Sequence, residues 1–235
     1  MSAPEFDHFA RGYDNVQDDP VKGLVGSDTA FMEAKVRWLL RDLTRRPVGG
    51  LTPRTLDYGS GIGTFQVVMR RLGFEAEMTG CELSPGMRAE SKLRWGEEAP
   101  EICAMESAST AFESQQFDLV VACAVFHHIC PEDRPASYQE IRRILAPGGR
   151  AYIFEHNPYN PVTRVMVARA PVDADAVLLS AAEAEQGLKE VGLRSVASSY
   201  ILFFPPRLPL LGSLEQSLEW LPLGGQYVSS GSAPL

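Results

Sequence analysis

The chain predicts an α/β domain: a mostly parallel sheet, doubly wound, with helices on both faces. Three observations carry that prediction. Strand-like apolar runs alternate with helix-periodic segments from residue 54 to 156. One run ends on a carboxylate and enters a glycine-rich turn, Leu56-Asp57-Tyr58-Gly59-Ser60-Gly61-Ile62-Gly63-Thr64-Phe65. Another, Phe117 to Val125, is apolar almost throughout, as a central strand buried on both faces must be.

Size and charge bound the rest. The chain has 235 residues, 45% of them hydrophobic, compatible with one domain over 1–235 and a substantial core. Residues 1–50 read as an N-terminal addition and 51–235 as the α/β core. A formal charge of −8 without a local basic cluster argues against a nucleic-acid track and favours a small-molecule substrate, uncharged or cationic. Cysteines 81, 103, 123 and 130 show neither C-x-x-C nor zinc spacing, and read as small core residues in a reducing cytoplasm. The N-terminus has no basic patch or apolar run, so no signal peptide is expected. The apolar stretch from Ile201 to Leu211 is broken by Pro205, Pro206, Arg207 and Pro209, so no membrane insertion is expected. No oligomeric state is readable.

Taken in order, a helix is expected near 29–46, with Ser27 or Asp28 as its cap and Met32, Val36, Leu39, Leu40 and Leu43 on one face. The glycine turn follows. Its glycines let a ligand lie against bare main chain, and N–H groups at the helix start favour a polar or negative group. A dinucleotide turn wants G-x-G-x-x-G, but here the third glycine comes one residue early and Thr64 stands in its place. Asp57 would repel a pyrophosphate and hold an ammonium. Met78 to Glu82 then reads as a second strand ending in an acid able to accept both hydroxyls of a ribose. Ser84 and Pro85 suit an N-cap and first helical position. Ile102 to Ser107 is followed by a polar loop to Gln116. Tyr152 to His156 alternates as a strand before the proline-rich Asn157 to Pro161. Ser180-Ala181-Ala182-Glu183 is a capping box for a helix ending near Gly192. Leu193 to Phe204 and Gln226 to Ser232 read as final strands.

D-x-G-x-G-x-G at Asp57 to Gly63 resembles motif I of the class I S-adenosylmethionine (SAM) methyltransferases, and residues 56 to 157 follow that family's segment order. The resemblance implies a Rossmann-like, mostly parallel seven-stranded sheet with an antiparallel last strand and an N-terminal helical lid. It implies SAM as cofactor, bound by Asp57, Gly59, Ser60, Gly61, Glu82, Leu83, Ser107 and Cys123. Glu106 would meet the adenine amino group, although the family usually has Asp there. The opening Phe6-Asp7-His8-Phe9-Ala10-Arg11-Gly12-Tyr13-Asp14 resembles the F-D-x-x-A-x-x-Y-D start of small-molecule methyltransferases. By that likeness Tyr13 and Lys35 would serve the cofactor's methionine end.

The sulfonium needs no acid catalyst, so the enzyme's task is alignment and exclusion of water. A hydroxyl acceptor also needs a base. Candidates are His127, adjacent to His128 after the fourth family strand, and His156. For His127 and His128 the expectation is one in the pocket and one bonded to the backbone. His156 lies within Glu155-His156-Asn157-Pro158-Tyr159-Asn160-Pro161, which resembles a subgroup of bacterial methyltransferases. No second carboxylate cluster stands near these residues in sequence, so no metal site is expected. The implied reaction is methyl transfer to a small-molecule or sugar-like acceptor, O-directed. The rivals are an NAD(P)-dependent oxidoreductase and a non-catalytic SAM-binding protein.

Overall fold

A computed structural model describes residues 7, 29–205 and 212–235. Helix α1 (Ala30–Arg45) precedes β1 (Arg54–Tyr58), α2 (Thr64–Arg71), β2 (Glu77–Glu82), α3 (Pro85–Trp95), β3 (Ile102–Glu106), β4 (Ser109–Thr110) and β5 (Phe117–Cys123). The chain continues through α4 (Arg134–Ile144), β6 (Leu145–His156), α5 (Pro161–Arg169), α6 (Ala181–Glu190), β7 (Arg194–Ile201), α7 (Gly212–Leu218) and β8 (Gln226–Ser232).

All strands join one sheet in the order β4-β3-β2-β1-β5-β6-β8-β7. Strands β1, β2, β3, β5 and β6 pair in parallel, and the last strand, β8, runs antiparallel to both β6 and β7. The sheet has eight strands among the described residues, not the seven expected. The additional strand, β4, is a two-residue edge pairing antiparallel to β3. It lies in the segment read as a polar loop, where two residues are too few to show a period.

Side-chain alternation explains the near-continuous apolar runs. Val120 and Ala122 of β5 and Ile153 of β6 face α4 and α6, packing with Tyr138, Ile141, Ala184 and Leu188. Leu119 and Val121 of β5, with Tyr152 and Phe154 of β6, face α1 and α2 and meet Val36, Leu39, Phe65 and Met69. With both faces covered, every second position in each direction must be apolar. Polar ties cross the second layer at Asp42 of α1: the Tyr152 hydroxyl donates to its Oδ2 at 2.6 Å, and Arg150 lies 3.8 Å from the same oxygen.

Local signals place the helix starts. Ser84 Oγ accepts from Met87 N at 3.0 Å with Pro85 at the first position. Ser180 and Glu183 close the expected capping box. Helix α5 begins where a proline-rich loop was expected: Asn160 Oδ1 caps Thr163 N at 3.0 Å, and Pro161 is the first helical residue. Of the opening Phe6–Asp14, only Asp7 is described; its Oδ1 accepts from Gly86 N at 2.8 Å and from Ser84 Oγ at 2.5 Å. Tyr13, Ser27 and Asp28 lie outside the described residues, so the lid expectation lies there too. Among the described residues no helix is long and apolar enough to cross a membrane.

Candidate active site

The C-terminal ends of β1, β2, β5 and β6 open on one cavity of about 640 Å³. Ligands of open parallel sheets bind at this edge, where strand order reverses between β1 and β5. Asp57, Gly59, Ser60, Gly61, Glu82, Leu83, Ser107, Cys123, Lys35 and His156 all line it.

Asp57 is 3% exposed, and its Oδ2 has no hydrogen-bond partner among the described residues. Burial, then the neighbouring Glu82 charge, push its carboxyl well above the ordinary value of 3.8. A buried acceptor left open toward a cavity is costly unless a ligand donor completes it. Lys35, also buried, lines the same space and makes no ion pair with a carboxylate among the described residues. An orphan carboxylate and a buried ammonium in one cavity fit the zwitterionic end of an amino acid.

The glycine turn is held from two sides. Gly59 N and Ser60 N donate to Cys81 O, each at 2.9 Å. Glu82 Oε2 accepts from Gly61 N and Oε1 from Ser84 N, both at 2.8 Å. Burial raises the Glu82 carboxyl while these N–H bonds pull it down. Each of its oxygens keeps a further acceptor site, as a ribose diol requires. Gly59 has φ +71°, and a Cβ there would lie 2.7 Å from Val125 Cγ2. Gly61 has φ +54° and open space around it, so its bare face is presented to the cavity.

Other residues carry strain at the same rim. Ser107, Ala124 and Leu202 line the cavity with φ of 54°, 59° and 61°. Non-glycine residues adopt this region rarely and at a cost, and such residues collect at functional sites. Ser107, expected on the adenine side, is among the lining residues. Glu106 is exposed and is absent from the cavity lining, so the side-chain role expected for it is not seen here.

Beyond Cys123 the cavity reaches a histidine–carboxylate cluster. Glu155 Oε1 accepts from Val125 N at 2.9 Å and Phe126 N at 2.7 Å, and Oε2 lies 2.5 Å from His127 Nδ1. His127 Nε2 and His128 Nε2 each lie 3.5 Å from Asp173 Oδ1. His127 is thus sealed between two carboxylates and does not line the cavity, which corrects its place among the candidate bases. Its partner is also a carboxylate and not the backbone. His128, Asp173 and His156 do line the cavity. Asp173 was missed because it arrives from a turn after α5 that carries no motif.

The charges sort themselves. Burial opposes charge on His127, but Glu155 and Asp173 raise it to about 9. Burial likewise opposes the Glu155 carboxylate, yet the His127 charge and hydrogen bonds bring it down to about 2. Burial and then His127 lower His128 to about 3 and His156 to about 4, so both are neutral near pH 7. Burial pushes the Cys123 thiol up to about 12, leaving it uncharged. His156 Nδ1 lies 3.3 Å from Gln226 Nε2 of β8.

The two asparagines of the motif tie the loop down, and Asn160 also lines the cavity. Asn157, fully buried, donates to Pro222 O at 3.2 Å and Gly224 O at 2.8 Å and accepts from Tyr159 N at 3.1 Å. Asn160 donates to Leu223 O at 2.7 Å. The pair pins the β6–α5 turn to the segment before β8. The far cavity wall is apolar: Phe31, Met32, Met166, Val167, Leu202 and Phe203.

Known proteins share part of this sequence and its fold. Residues 56–153 match the family model described as "Methyltransferase domain". That segment is similar to a methyltransferase domain. The SAM-dependent methyltransferase from Thermotoga maritima, described as a possible histamine N-methyltransferase, superposes with a TM-score of 0.68 at 15% identity, covering 97% of this chain and 98% of that one. The putative methyltransferase complexed with the Haloferax volcanii Trm112 methyltransferase activator gives 0.66 at 20% identity, covering 98% of both. Among curated relatives, the biotin biosynthesis bifunctional protein BioHC of Cellvibrio japonicus is 27% identical over 77% of this chain and 35% of its own length. A demethylmenaquinone methyltransferase of Chlorobaculum parvum is 33% identical over 49% of this chain and 46% of its own. The matches therefore span about a third to a half of these relatives' lengths. The matched segment and the shared fold are what this chain has in common with methyltransferases.

Proposed function

We propose that this protein transfers the methyl group of SAM to a hydroxyl of a small, largely apolar molecule. The orphaned Asp57 Oδ2 beside the glycine turn, facing the same cavity as Glu82 and Lys35, carries the reading. In it Asp57 takes the methionine ammonium, Lys35 the carboxylate, Glu82 the ribose hydroxyls, and the Ser107 backbone the adenine edge. When bound, SAM supplies an electrophilic methyl on a sulfonium, and the chain's residues do the rest. Cys123 and Ala124 floor the path from the cofactor to the histidines. His156, neutral near pH 7, accepts the acceptor's hydroxyl proton.

The apolar wall formed by α1, α5 and residues 202–205 supports an acceptor with an apolar body. The demethylmenaquinone methyltransferases among the relatives bear a name that suits such a substrate. A sugar-like acceptor fits the histidine end better than the apolar wall. The subgroup suggested by Glu155 to Pro161 and a cytoplasmic location stay with this proposal.

Isothermal calorimetry with SAM and with NADH is the first test. Micromolar SAM binding abolished by Asp57→Ala is expected; NADH binding in its place would turn the reading to an oxidoreductase. Single-turnover transfer from labelled SAM to a panel of phenols, quinols and sugars then separates an enzyme from a protein that only binds the cofactor.

A further inference from the structure

Three potential metal ligands meet at the acceptor end of the cavity, although the sequence showed no metal spacing. His127 and His128 come from the turn after β5, and Asp173 from the turn after α5. One ligand atom from each lies within 4.8 Å of the others. Both imidazole Nε2 atoms stand 3.5 Å from the same Asp173 oxygen. That is at the long end for an N–H···O bond, whose usual range is about 2.7–3.2 Å. Ligands about 2.0–2.2 Å from a tetrahedral ion stand roughly 3.3–3.5 Å apart, which matches both measured edges.

A second feature is independent of those distances. The other ring nitrogen of His127 lies 2.5 Å from Glu155 Oε2, and Glu155 is itself held by two backbone N–H groups. A carboxylate behind an imidazole fixes its orientation and tautomer so that the opposite nitrogen points at a metal. His127, Glu155 and Asp173 are already packed in this arrangement.

We propose that His127, His128 and Asp173 form a three-ligand site for a divalent first-row metal of the zinc type. Two imidazoles and one carboxylate suit such an ion better than magnesium, which prefers oxygen ligands. His128 and Asp173 line the cavity, so the fourth position opens toward the acceptor. Three protein ligands with one open position is the pattern of a catalytic rather than a structural zinc site. There the ion holds an acceptor oxygen and lowers its pKa, a role that rests on the methyl-transfer reading; the site itself does not. In that step the O–H proton passes to His156, the O–CH₃ bond forms as the S–CH₃ bond breaks, and the sulfonium leaves as a neutral thioether.

The full chain, stripped by chelator, is titrated with Zn²⁺ by calorimetry, with SAM calorimetry on every variant as a check of the folded cofactor cavity. One Zn²⁺ per chain is expected. Its affinity should fall by more than about tenfold in Asp173→Asn and in His128→Ala, with SAM affinity kept, and by roughly 10–100-fold in Glu155→Gln. Co²⁺ in place of zinc should give the visible bands of a tetrahedral site, absent in Asp173→Asn. Cys130→Ser should bind zinc as the parent does, since the exposed Cys130 thiol is the nearest competing thiol in sequence. No zinc binding, equal binding by Asp173→Asn and the parent, or loss of binding in Cys130→Ser overturns the proposal. The zinc result decides it whether or not SAM binds, so its failure is distinguishable from failure of the methyl-transfer reading.

Discussion

Glu155 and His127 lie side by side in the core, Oε2 and Nδ1 2.5 Å apart, although 28 residues separate them in the chain. The contact ties the end of β6 to the turn leaving β5, and so shapes the cavity wall between cofactor and acceptor. Glu155 also accepts the Val125 and Phe126 amides.

Removing that carboxylate leaves His127 Nδ1 and two amides without an acceptor, with Asp173 alone beside the imidazole. Glu155→Ala should therefore cost about 3–5 kcal/mol in urea unfolding. Glu155→Gln keeps an oxygen for the two amides and should cost less. Equal losses would mean that the amides contribute nothing.

Asp57 offers a pH test. Its folded carboxyl is raised above the ordinary 3.8, first by burial and then by Glu82. The free protein thus binds this proton more tightly than the unfolded chain does. The resulting stability is full below the ordinary value and is lost as pH rises through the raised one. SAM affinity should run the opposite way, strengthening as Asp57 ionises to meet the ammonium. Asp57→Asn should raise the melting temperature of the free protein by roughly 2–4 °C per kcal/mol relieved, while losing SAM binding. A variant that still binds SAM like the parent would remove Asp57 from the cofactor site.

Gly59→Ala should be damaging for two reasons. It places a Cβ 2.7 Å from Val125 Cγ2 and asks an L-residue to hold φ +71°. A loss of about 1–3 kcal/mol is expected, together with weaker SAM binding. Both are read by thermal melts with and without cofactor.

His156→Ala should lower single-turnover transfer by about 10²–10⁴-fold if it takes the acceptor proton, with SAM affinity nearly unchanged. Unaltered transfer would reduce His156 to a wall of the pocket.

Asn157→Ala removes a fully buried side chain with three hydrogen bonds, stranding two carbonyls and an amide. A loss of about 1–3 kcal/mol is expected. The effect should appear in stability and leave the SAM affinity of the folded protein intact, as calorimetry would show.

Much of the architecture was legible because it is local. Near-continuous apolar runs specify strands buried on both faces, and Ser84, Pro85 and Ser180 mark helix starts through bonds made within three residues. The glycine turn and the acids at Asp57 and Glu82 were legible for the same reason, each sitting at the end of its own strand. Strand β4 and helix α5 were not, since one is too short to have a period and the other hides behind prolines that look like a loop. Glu106 and His127 show the deeper limit of local reading: a side chain's identity and spacing do not say whether it faces the cavity, the solvent or a buried partner. Only the folding of β6 beside β5 brought Glu155 to His127, and only the turn after α5 brought Asp173 to both histidines. Those meetings depend on contacts between distant segments, and the energy that selects them comes from burying apolar faces that carry no mark of which polar groups will be enclosed together.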